Sequence, residues 1–342
     1  LSSQKTRTAE DGSDGSLASV KAQGRIFVWD RAACRLGAAE EAYPALQDSQ
    51  VGLRRRWPAH GWVGLGMVAV FWPLNWFLPG LRTHLLFFPL WLGYCLAVDA
   101  LVVLRKGDSL LTRSPHRYVG LFLVSVPAWW LFEALNIHTG NWVYQGAKYF
   151  TPAQFAILAS ISFSTVIPAV FGTAELASTF GWLRHTKPGP RIPKSGTVLL
   201  GFFVVGWLML ALLIIWPRLF FPFIWLGPYF VLEPINVWMG HRSLATTVDR
   251  RDWRPVLALW VGVLICGFFW EFWNFYSYPK WIYHVPYLGF LHVFEMPLLG
   301  YGGYLPFSLE LFAIYQFVAG LIRRNPERTY VHLVSDAGSQ QA

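Results

Sequence analysis

The chain carries the stretch GFFWEFWNFYSYPKWIYHVP at residues 267–286 and a related stretch, AWWLFEALNIHTGNWVYQG, at residues 128–146. Each contains a Glu and an Asn three residues apart, followed by a Trp and a Tyr two residues apart. The residues of this motif are Glu133, Asn136, Trp142 and Tyr144 in the first copy and Glu271, Asn274, Trp281 and Tyr283 in the second. Glu and Asn at this spacing lie on one face of a helix. We therefore predict two equivalent apolar helices, each ending in a carboxylate and an amide.

The duplication extends towards the N-terminus. Residues 87–112 align without gaps on residues 221–246. Both segments contain Trp-Leu-Gly, then an acid six residues later (Asp99 and Glu233), and then Ser-Leu-x-Thr. A single long repeat of this kind predicts two related halves rather than a solenoid.

The composition indicates a membrane protein. Hydrophobic residues make up 54% of the chain and charged residues only 14%, with 19 Trp and 27 Phe. A soluble domain carries about 25% charged residues. The three cysteines, Cys34, Cys95 and Cys266, show no metal-binding spacing. The sequence predicts an all-α, polytopic membrane bundle with no metal site.

Runs of about 20 apolar residues are long enough to cross the hydrocarbon core. The sequence predicts eight, at residues 61–79, 85–104, 117–137, 153–181, 197–216, 219–238, 255–275 and 288–321. The fourth and eighth are too long for one straight helix. The eighth contains Pro297, Gly300, Gly302, Gly303 and Pro306, which predict a broken segment followed by a full span.

Loop charges predict the orientation. Basic residues are concentrated before the first run and after the second, fourth, sixth and eighth, whereas the other connections hold one each: Arg82, Lys148, Arg218 and Lys280. The positive-inside rule then places both termini in the cytoplasm of a cell inner (cytoplasmic) membrane protein. Four helices per copy make the repeats parallel. The net charge of +9 is thus explained by topology and does not indicate a nucleic-acid partner.

The predicted organisation has four parts. These are a cytoplasmic N-terminal segment (1–60), two four-helix repeats (61–190 and 191–325) and a cytoplasmic tail (326–342). Within the first segment, Arg25–Trp29 is predicted as a strand and Ala38–Leu46 as a helix.

The topology predicts the depth of the acidic residues. Glu133 and Glu271 lie near the outer face, and Glu295 lies with His292 at the outer start of the eighth segment. Asp99, Glu175, Glu233 and Glu310 lie in the inner half. An Asp at the centre of a membrane helix costs about 2.5–3.5 kcal/mol on insertion scales, so intramembrane acids are candidates for function.

The outer acids Glu133, Glu271 and Glu295 are the candidate catalytic proton donors or acceptors. The candidate substrate- or lipid-binding residues are Asn136, Asn274, Trp142, Tyr144, Trp281, Tyr283 and His292. A structural alternative stays open for this set, because Trp and Tyr at this depth also form an aromatic belt. For the inner acids, Asp99 is predicted to pair with a basic group such as Arg105, and Glu233 to satisfy a backbone group freed at Pro234.

The sequence does not identify a cofactor. His138, His284 and His292 lie on the outer side, where two histidines could hold a haem, but neither an i, i+4 pair nor Cys-x-x-Cys-His occurs. The run Gly300-Tyr301-Gly302-Gly303-Tyr304 is predicted to be a backbone break beside a cavity.

Residues 133–144, with Thr139-Gly140 between the Glu and the Tyr, are similar to a segment of membrane carotenoid hydratases. The resemblance covers about a dozen of the 342 residues, and the second copy lacks Thr-Gly. It implies a carboxylic acid that protonates a double bond of a polyene. Embedded lycopene cyclases also depend on intramembrane acids.

Three functions remain open. Paired acids, many tryptophans and a broken helix favour an enzyme acting on a lipid or a carotenoid-like isoprenoid. The absence of a specific catalytic motif favours a lipid- or pigment-binding scaffold subunit that joins other membrane subunits in a larger complex. The repeat and the broken segment are also typical of a transporter or flippase.

Overall fold

The computed structural model describes residues 18–22, 25–29, 56–322 and 330–334. The chain divides into two compact units, residues 1–54 and 55–342. In the first unit, strands β1 (Ala18–Ala22) and β2 (Arg25–Trp29) pair antiparallel. The strand predicted at Arg25–Trp29 is confirmed, and the helix predicted at Ala38–Leu46 lies outside the described residues.

The second unit is helical. Its earlier elements are α1 (Ala59–Phe77), α2 (Thr83–Lys106), α3 (Leu110–Arg113), α4 (Pro115–Thr139), β3 (Trp142–Gln145), a 3-10 helix (Ala147–Tyr149), α5 (Pro152–Phe163), α6 (Val166–Ala177) and α7 (Gly181–Arg184). Its later elements are α8 (Gly196–Ile215), α9 (Pro217–Phe220), a 3-10 helix (Phe221–Ile224), α10 (Gly227–Trp238), α11 (Leu244–Asp249), α12 (Arg254–Phe275), β4 (Lys280–Tyr283), β5 (His292–Val293), β6 (Met296–Pro297), a 3-10 helix (Leu298–Gly303) and α13 (Tyr304–Ile322).

Seven helical segments in the described part of the chain are long and apolar enough to cross a membrane. They are Thr83–Lys106, Pro115–Thr139, Pro152–Ala177, Gly196–Ile215, Pro217–Trp238, Arg254–Phe275 and Leu298–Ile322. The protein is therefore a helical, multi-pass membrane protein. The first predicted span, 61–79, forms helix α1, which is not one of the seven. The count of eight spans stays a prediction.

The two long apolar runs are interrupted, as predicted. Helices α5 and α6 are separated at Ser164 and Thr165, and a 3-10 helix at Leu298–Gly303 precedes α13. The segment at 217–238 is also interrupted, which was not predicted. Its three short helices each carry a proline in the first turn, where the missing N–H group of proline leaves no bond unmade.

Helix pairs α1–α2 and α8–α10 pack closely at glycines. A Cβ atom built on Gly64 would lie 2.6 Å from the backbone nitrogen of Ala97, and one built on Gly206 would lie 2.9 Å from that of Val231. Ala97 and Val231 are equivalent in the aligned segments. Small residues allow helix backbones to approach in a membrane. The two halves share this contact, and their superposition as rigid bodies stays a prediction.

Asp99 and Glu233 hold equivalent short helices. The Oδ2 atom of Asp99 accepts a hydrogen bond from Ser109 Oγ at 2.6 Å, and Oδ1 accepts from the backbone N–H of Leu111 at 3.0 Å. The Oε1 atom of Glu233 accepts from the N–H of Ala245 at 2.6 Å. Both acids thus satisfy free N–H groups in the first turn of a helix, α3 or α11.

These contacts correct two predictions. The basic side chain beside Asp99 is that of His60, whose Nε2 atom lies 3.1 Å from Oδ2. A basic neighbour was predicted, but the residue named for it, Arg105, is not the one found there. Glu233 accepts from Ala245, twelve residues away, and not from a group freed at Pro234. Both acids lie beside the start of the short helix that follows them in the chain, where unpaired backbone N–H groups are within hydrogen-bond distance.

The two copies of the motif meet in one small sheet. Helix α4 leads into β3 and helix α12 into β4, and the two strands pair antiparallel, with Trp142 opposite Tyr283 and Tyr144 opposite Trp281. We call β3 and β4 the ribbon, and this end of the bundle the ribbon end. Both helices run towards the ribbon, as the prediction of parallel repeats requires.

Candidate active site at the ribbon end

Asn136 and Asn274 hold the two strands of the ribbon. The Nδ2 group of Asn136 donates to the carbonyl of Trp142 at 2.8 Å, and its Oδ1 accepts from the Trp142 N–H at 3.3 Å. Asn274 makes the same two bonds to Trp281, at 2.7 and 3.1 Å. A side-chain amide offers one donor group and one acceptor, so each Asn pairs with the main chain as a neighbouring strand would. Both predicted binding residues occupy structural positions.

Glu133 accepts three hydrogen bonds on a single oxygen. Its Oε1 atom accepts from the indole N–H groups of Trp129 at 2.8 Å and Trp142 at 3.0 Å, and from the phenol of Tyr144 at 2.5 Å. The carboxylate is half-buried. It therefore positions the Trp and Tyr of its own copy.

Glu271 has a different set of partners. It is fully buried, and its Oε1 accepts from the phenols of Tyr283 at 2.7 Å and Tyr304 at 2.6 Å. The Trp281 indole donates to the oxygen of Tyr283 at 2.8 Å. The Oε2 atom has no hydrogen-bond partner within the described residues. In this copy two phenols contact the carboxylate.

A glycine explains the difference. Trp129 lies four residues before Glu133, and Gly267 lies four residues before Glu271. A Cβ atom on Gly267 would lie 2.7 Å from Cε2 of Tyr304. The absence of a side chain at Gly267 thus makes room for the Tyr304 ring, and a phenol takes the place of the indole. Tyr304 was not predicted as a site residue, although the glycine in place of Trp was a visible signal.

A cavity of about 470 Å³ lies against the ribbon. Both Trp/Tyr pairs line it, together with Tyr304 and further aromatic residues that include Trp129, Trp225, Trp270 and Phe307. Gly300, Gly302 and Gly303 also line it, which confirms the prediction of a backbone break beside a cavity. Glu133 and Glu271 are not among its lining residues. Their carboxylates therefore reach the cavity only through the aromatic side chains that donate to them.

Glu295 and His292 are not among the hydrogen-bond partners of Glu271 within the described residues. Glu295 forms an ion pair with Lys280, which lines the cavity and also donates to the carbonyl of Phe275 at 3.1 Å. His292 is exposed on β5, opposite Pro297. Neither predicted residue lines the cavity.

The ribbon tyrosines keep their protons. Burial raises the pKa of Tyr144 and of Tyr283 above the ordinary value for a phenol, and the carboxylates of Glu133 and Glu271 act in the same direction. Both phenols therefore stay protonated at neutral pH and act as hydrogen-bond donors.

The inner acids Glu175 and Glu310 lie outside this site. Glu175 is fully buried, forms ion pairs with Lys106 at 2.8 Å and with Arg113, and accepts from the N–H of His332 at 2.7 Å. Its charge is compensated, which indicates a structural role. Glu310 is fully buried, and neither of its oxygens has a partner within the described part of the chain.

No group of three or more His, Cys, Asp and Glu side chains within the described ranges is arranged to hold a metal ion. His138, His284 and His292 are all exposed. Comparisons of the chain with protein-family models, characterised proteins and solved structures find no match.

Proposed function

We propose that the protein is a membrane enzyme that transfers protons to and from a lipid or isoprenoid substrate in the ribbon-end cavity. The observation that carries this proposal is the connection of Glu271 to the cavity. Its buried carboxyl group contacts two phenols, of Tyr283 and Tyr304, at 2.7 and 2.6 Å, and both tyrosines line the cavity. A carboxyl group behind two phenols can supply or accept a proton without facing the substrate itself.

The reaction class follows from this arrangement. With Glu271 in its acid form, a phenol gives its proton to one carbon of a substrate double bond while the carboxyl group of Glu271 gives its own proton to that phenol and becomes a carboxylate. The neighbouring carbon becomes a carbocation. Loss of a different C–H proton to the phenol oxygen, with the phenol proton passing to Glu271 Oε1, yields a shifted double bond. Capture of the carbocation by water, with one proton of that water passing to the phenol oxygen and the phenol proton passing to Glu271 Oε1, yields an alcohol and restores the acid form of Glu271. Positioned acid–base groups contribute roughly 10²–10⁴-fold to such steps.

The lining of the cavity suits this chemistry. The ring of Trp142 stacks on Trp225 with centroids 5.9 Å apart, and Trp270 and Phe307 also line the cavity. Apolar walls bind an isoprenoid chain. Aromatic faces attract a cation, by about 2 kcal/mol or more when water is excluded. A carbocation intermediate would be stabilised by the residues that bind the substrate.

The first copy serves a supporting role in this proposal. Two of the three donors on Glu133 are indole N–H groups, which do not exchange protons as acids at physiological pH. Glu295 is paired with Lys280. Of the three predicted catalytic acids, we assign proton transfer to Glu271 alone.

Replacement of Glu271 by Gln tests the assignment. Glutamine keeps the volume and a hydrogen-bond acceptor, whereas the transferable proton is lost. Purified protein is incubated in D₂O with polyene isoprenoids, and deuterium incorporation is measured by mass spectrometry. We expect incorporation to fall by roughly 10²–10⁴-fold in Glu271→Gln.

Glu133→Gln is the matched control, because it makes the same change in the equivalent position. We expect this variant to retain incorporation within about tenfold of the wild-type protein. A Glu271→Gln protein that exchanges deuterium at the wild-type rate would reject the assignment.

A second candidate is a lipid- or pigment-binding subunit without catalysis. It is favoured by the hydrogen bonds that the Oε1 atoms of both Glu133 and Glu271 accept from the protein itself. Here the cavity would hold a bound lipid or pigment, and the wild-type protein would incorporate no deuterium. Purification from native membranes, followed by identification of the bound molecule, distinguishes the two functions.

A further inference from the structure

Asn141 is a buried polar residue in the wall of the cavity, directly before Trp142. It is 4% exposed, it lines the cavity, and its Oδ1 atom has no hydrogen-bond partner within the described residues. Its main-chain carbonyl accepts from the N–H of His284 at 2.7 Å, so the residue is anchored. Buried polar atoms are nearly always hydrogen-bonded. The amide is anchored in the cavity wall and its buried acceptor has no donor among the described residues, so a ligand that supplies a donor there would complete its hydrogen bonding.

At the equivalent position of the second copy, the polar side-chain group already has partners within the protein. Lys280, directly before Trp281, is paired with Glu295 and donates to the carbonyl of Phe275. Asn141 adjoins the Trp142–Tyr283 pair, whereas Lys280 lies opposite Gln145 at the other end of the ribbon. Of these two equivalent residues in the cavity wall, Asn141 is thus the one whose side-chain oxygen has no partner in the described part of the chain.

We infer that Asn141 binds the hydroxyl group of an isoprenoid alcohol whose hydrocarbon chain occupies the cavity. This inference rests on the proposed function, since it names the class of substrate or product. A side-chain amide offers an acceptor and a donor, and a hydroxyl group matches both. An anionic head group would require a free cation, and the cation at Lys280 is already paired with Glu295. A plain hydrocarbon would leave Oδ1 without a partner.

Tryptophan fluorescence supplies the assay. Trp129, Trp142, Trp225, Trp270 and Trp281 line the cavity, so a bound polyene quenches their emission. The purified full chain is titrated with retinol, with retinyl methyl ether, which cannot donate a hydrogen bond, and with axerophthene, the hydrocarbon that lacks the oxygen. We expect retinol to bind about fivefold to tenfold more tightly than either comparison molecule.

Asn141→Leu should remove this preference while leaving the affinity for axerophthene within about twofold. Gln145→Leu is the control, because Gln145 lies on the same strand, is exposed and does not line the cavity. It should preserve the preference for retinol. Asn141→Asp, which keeps an oxygen acceptor, should retain it in part.

The inference is overturned if the wild-type protein binds the three molecules equally, or if none quenches the fluorescence. These two results do not depend on the folding of any variant. A second result would separate the two proposals. If the wild-type protein prefers retinol, Asn141→Leu loses this preference and the wild-type protein exchanges no deuterium, the proposed catalysis is rejected and the hydroxyl site is kept. If the wild-type protein exchanges deuterium but does not prefer retinol, the role of Asn141 is rejected and the proposed catalysis is kept.

Discussion

The two motif copies share the role of their Asn and differ in the surroundings of their Glu. Asn136 and Asn274 make the same pair of main-chain hydrogen bonds. Glu133 receives two indoles and a phenol, whereas Glu271 receives two phenols. The two motifs therefore have in common the residue that holds the strand. They differ in the donors around the Glu, and we assign the chemistry to the Glu of the second motif.

Replacement of Asn274 by Ala should destabilise the protein. The N–H and C=O of Trp281 both lose their partner, at a cost of about 1–3 kcal/mol for each buried group. Thermal unfolding of the purified protein measures the change. Asn274→Asp, which still accepts from Trp281 but cannot donate, should show an intermediate loss. An Ala variant as stable as the wild-type protein would contradict the structural role.

Gly267→Ala should lower activity by displacing Tyr304. The added methyl group meets the tyrosine ring at 2.7 Å, so the hydrogen bond to Glu271 must lengthen. We expect deuterium incorporation to fall roughly tenfold or more, with a stability loss of about 1–3 kcal/mol.

Two controls separate these effects. Tyr304→Phe removes only the hydroxyl group and should show a similar loss of incorporation. Gly201→Ala adds a methyl group where no atom lies within 4 Å and should leave incorporation unchanged. If Gly267→Ala keeps wild-type incorporation, Tyr304 is not part of the proton path.

At the level of elements, glycines and prolines determine how the apolar segments pack and where they break. Gly64 and Gly206 bring paired helices together, and prolines begin the short helices of the segment at 217–238. The ribbon is stabilised in a different way. Each of its strands has only four residues, too few for stability alone, so it depends on the asparagines and on the helices that precede it.

Replacement of Gly64 by Leu should separate helices α1 and α2. The side chain would enter the backbone of Ala97, and overpacking of this kind costs about 1–3 kcal/mol. Gly66 is the matched control, because it lies on the same helix and a Cβ atom added there would have no atom within 4 Å. Thermal unfolding should show Gly64→Leu clearly less stable than Gly66→Leu. Equal midpoints would contradict the close contact.

At the scale of the whole molecule, polar clusters occupy both ends of the bundle. The ribbon end holds Glu133 and Glu271, and the opposite end holds Asp99, Glu233 and the Glu175 ion pairs. The opposite-end acids are bound by helix starts and basic residues, which indicates a structural role. The cavity lies at the ribbon end, so the proposed chemistry belongs there.

The predicted topology places the ribbon end outside the cell. We expect a membrane-impermeant maleimide to label Lys148→Cys in intact cells and Lys187→Cys only after permeabilisation. Both lysines are exposed. Cys95 and Cys266 are buried, and Cys34 is replaced by Ser in the labelled proteins. Labelling of Lys187→Cys from outside the cell would contradict the predicted eight-span topology.

Membrane class, the positions of the long apolar helices and two of their breaks, one at Ser164 and Thr165 and one before α13, were determined by the sequence alone. These properties depend on local hydropathy and on Pro and Gly, so neighbouring residues are sufficient. The hydrogen bonds of Asn136 with Trp142 and of Asn274 with Trp281 could also have been predicted from the sequence, because the two residues of each pair are close in the chain.

Only the tertiary structure decided which groups meet at a distance. The ribbon joins strands from distant parts of the chain, and Tyr304 reaches Glu271 across 33 residues. The partner of Asp99 proved to be His60, from another helix. Such contacts depend on how helices pack, and packing is not encoded in the pattern of any one segment. For the same physical reason, the position of His292 outside the cavity lining and the unpaired side-chain oxygen of Asn141 became visible only in the folded chain.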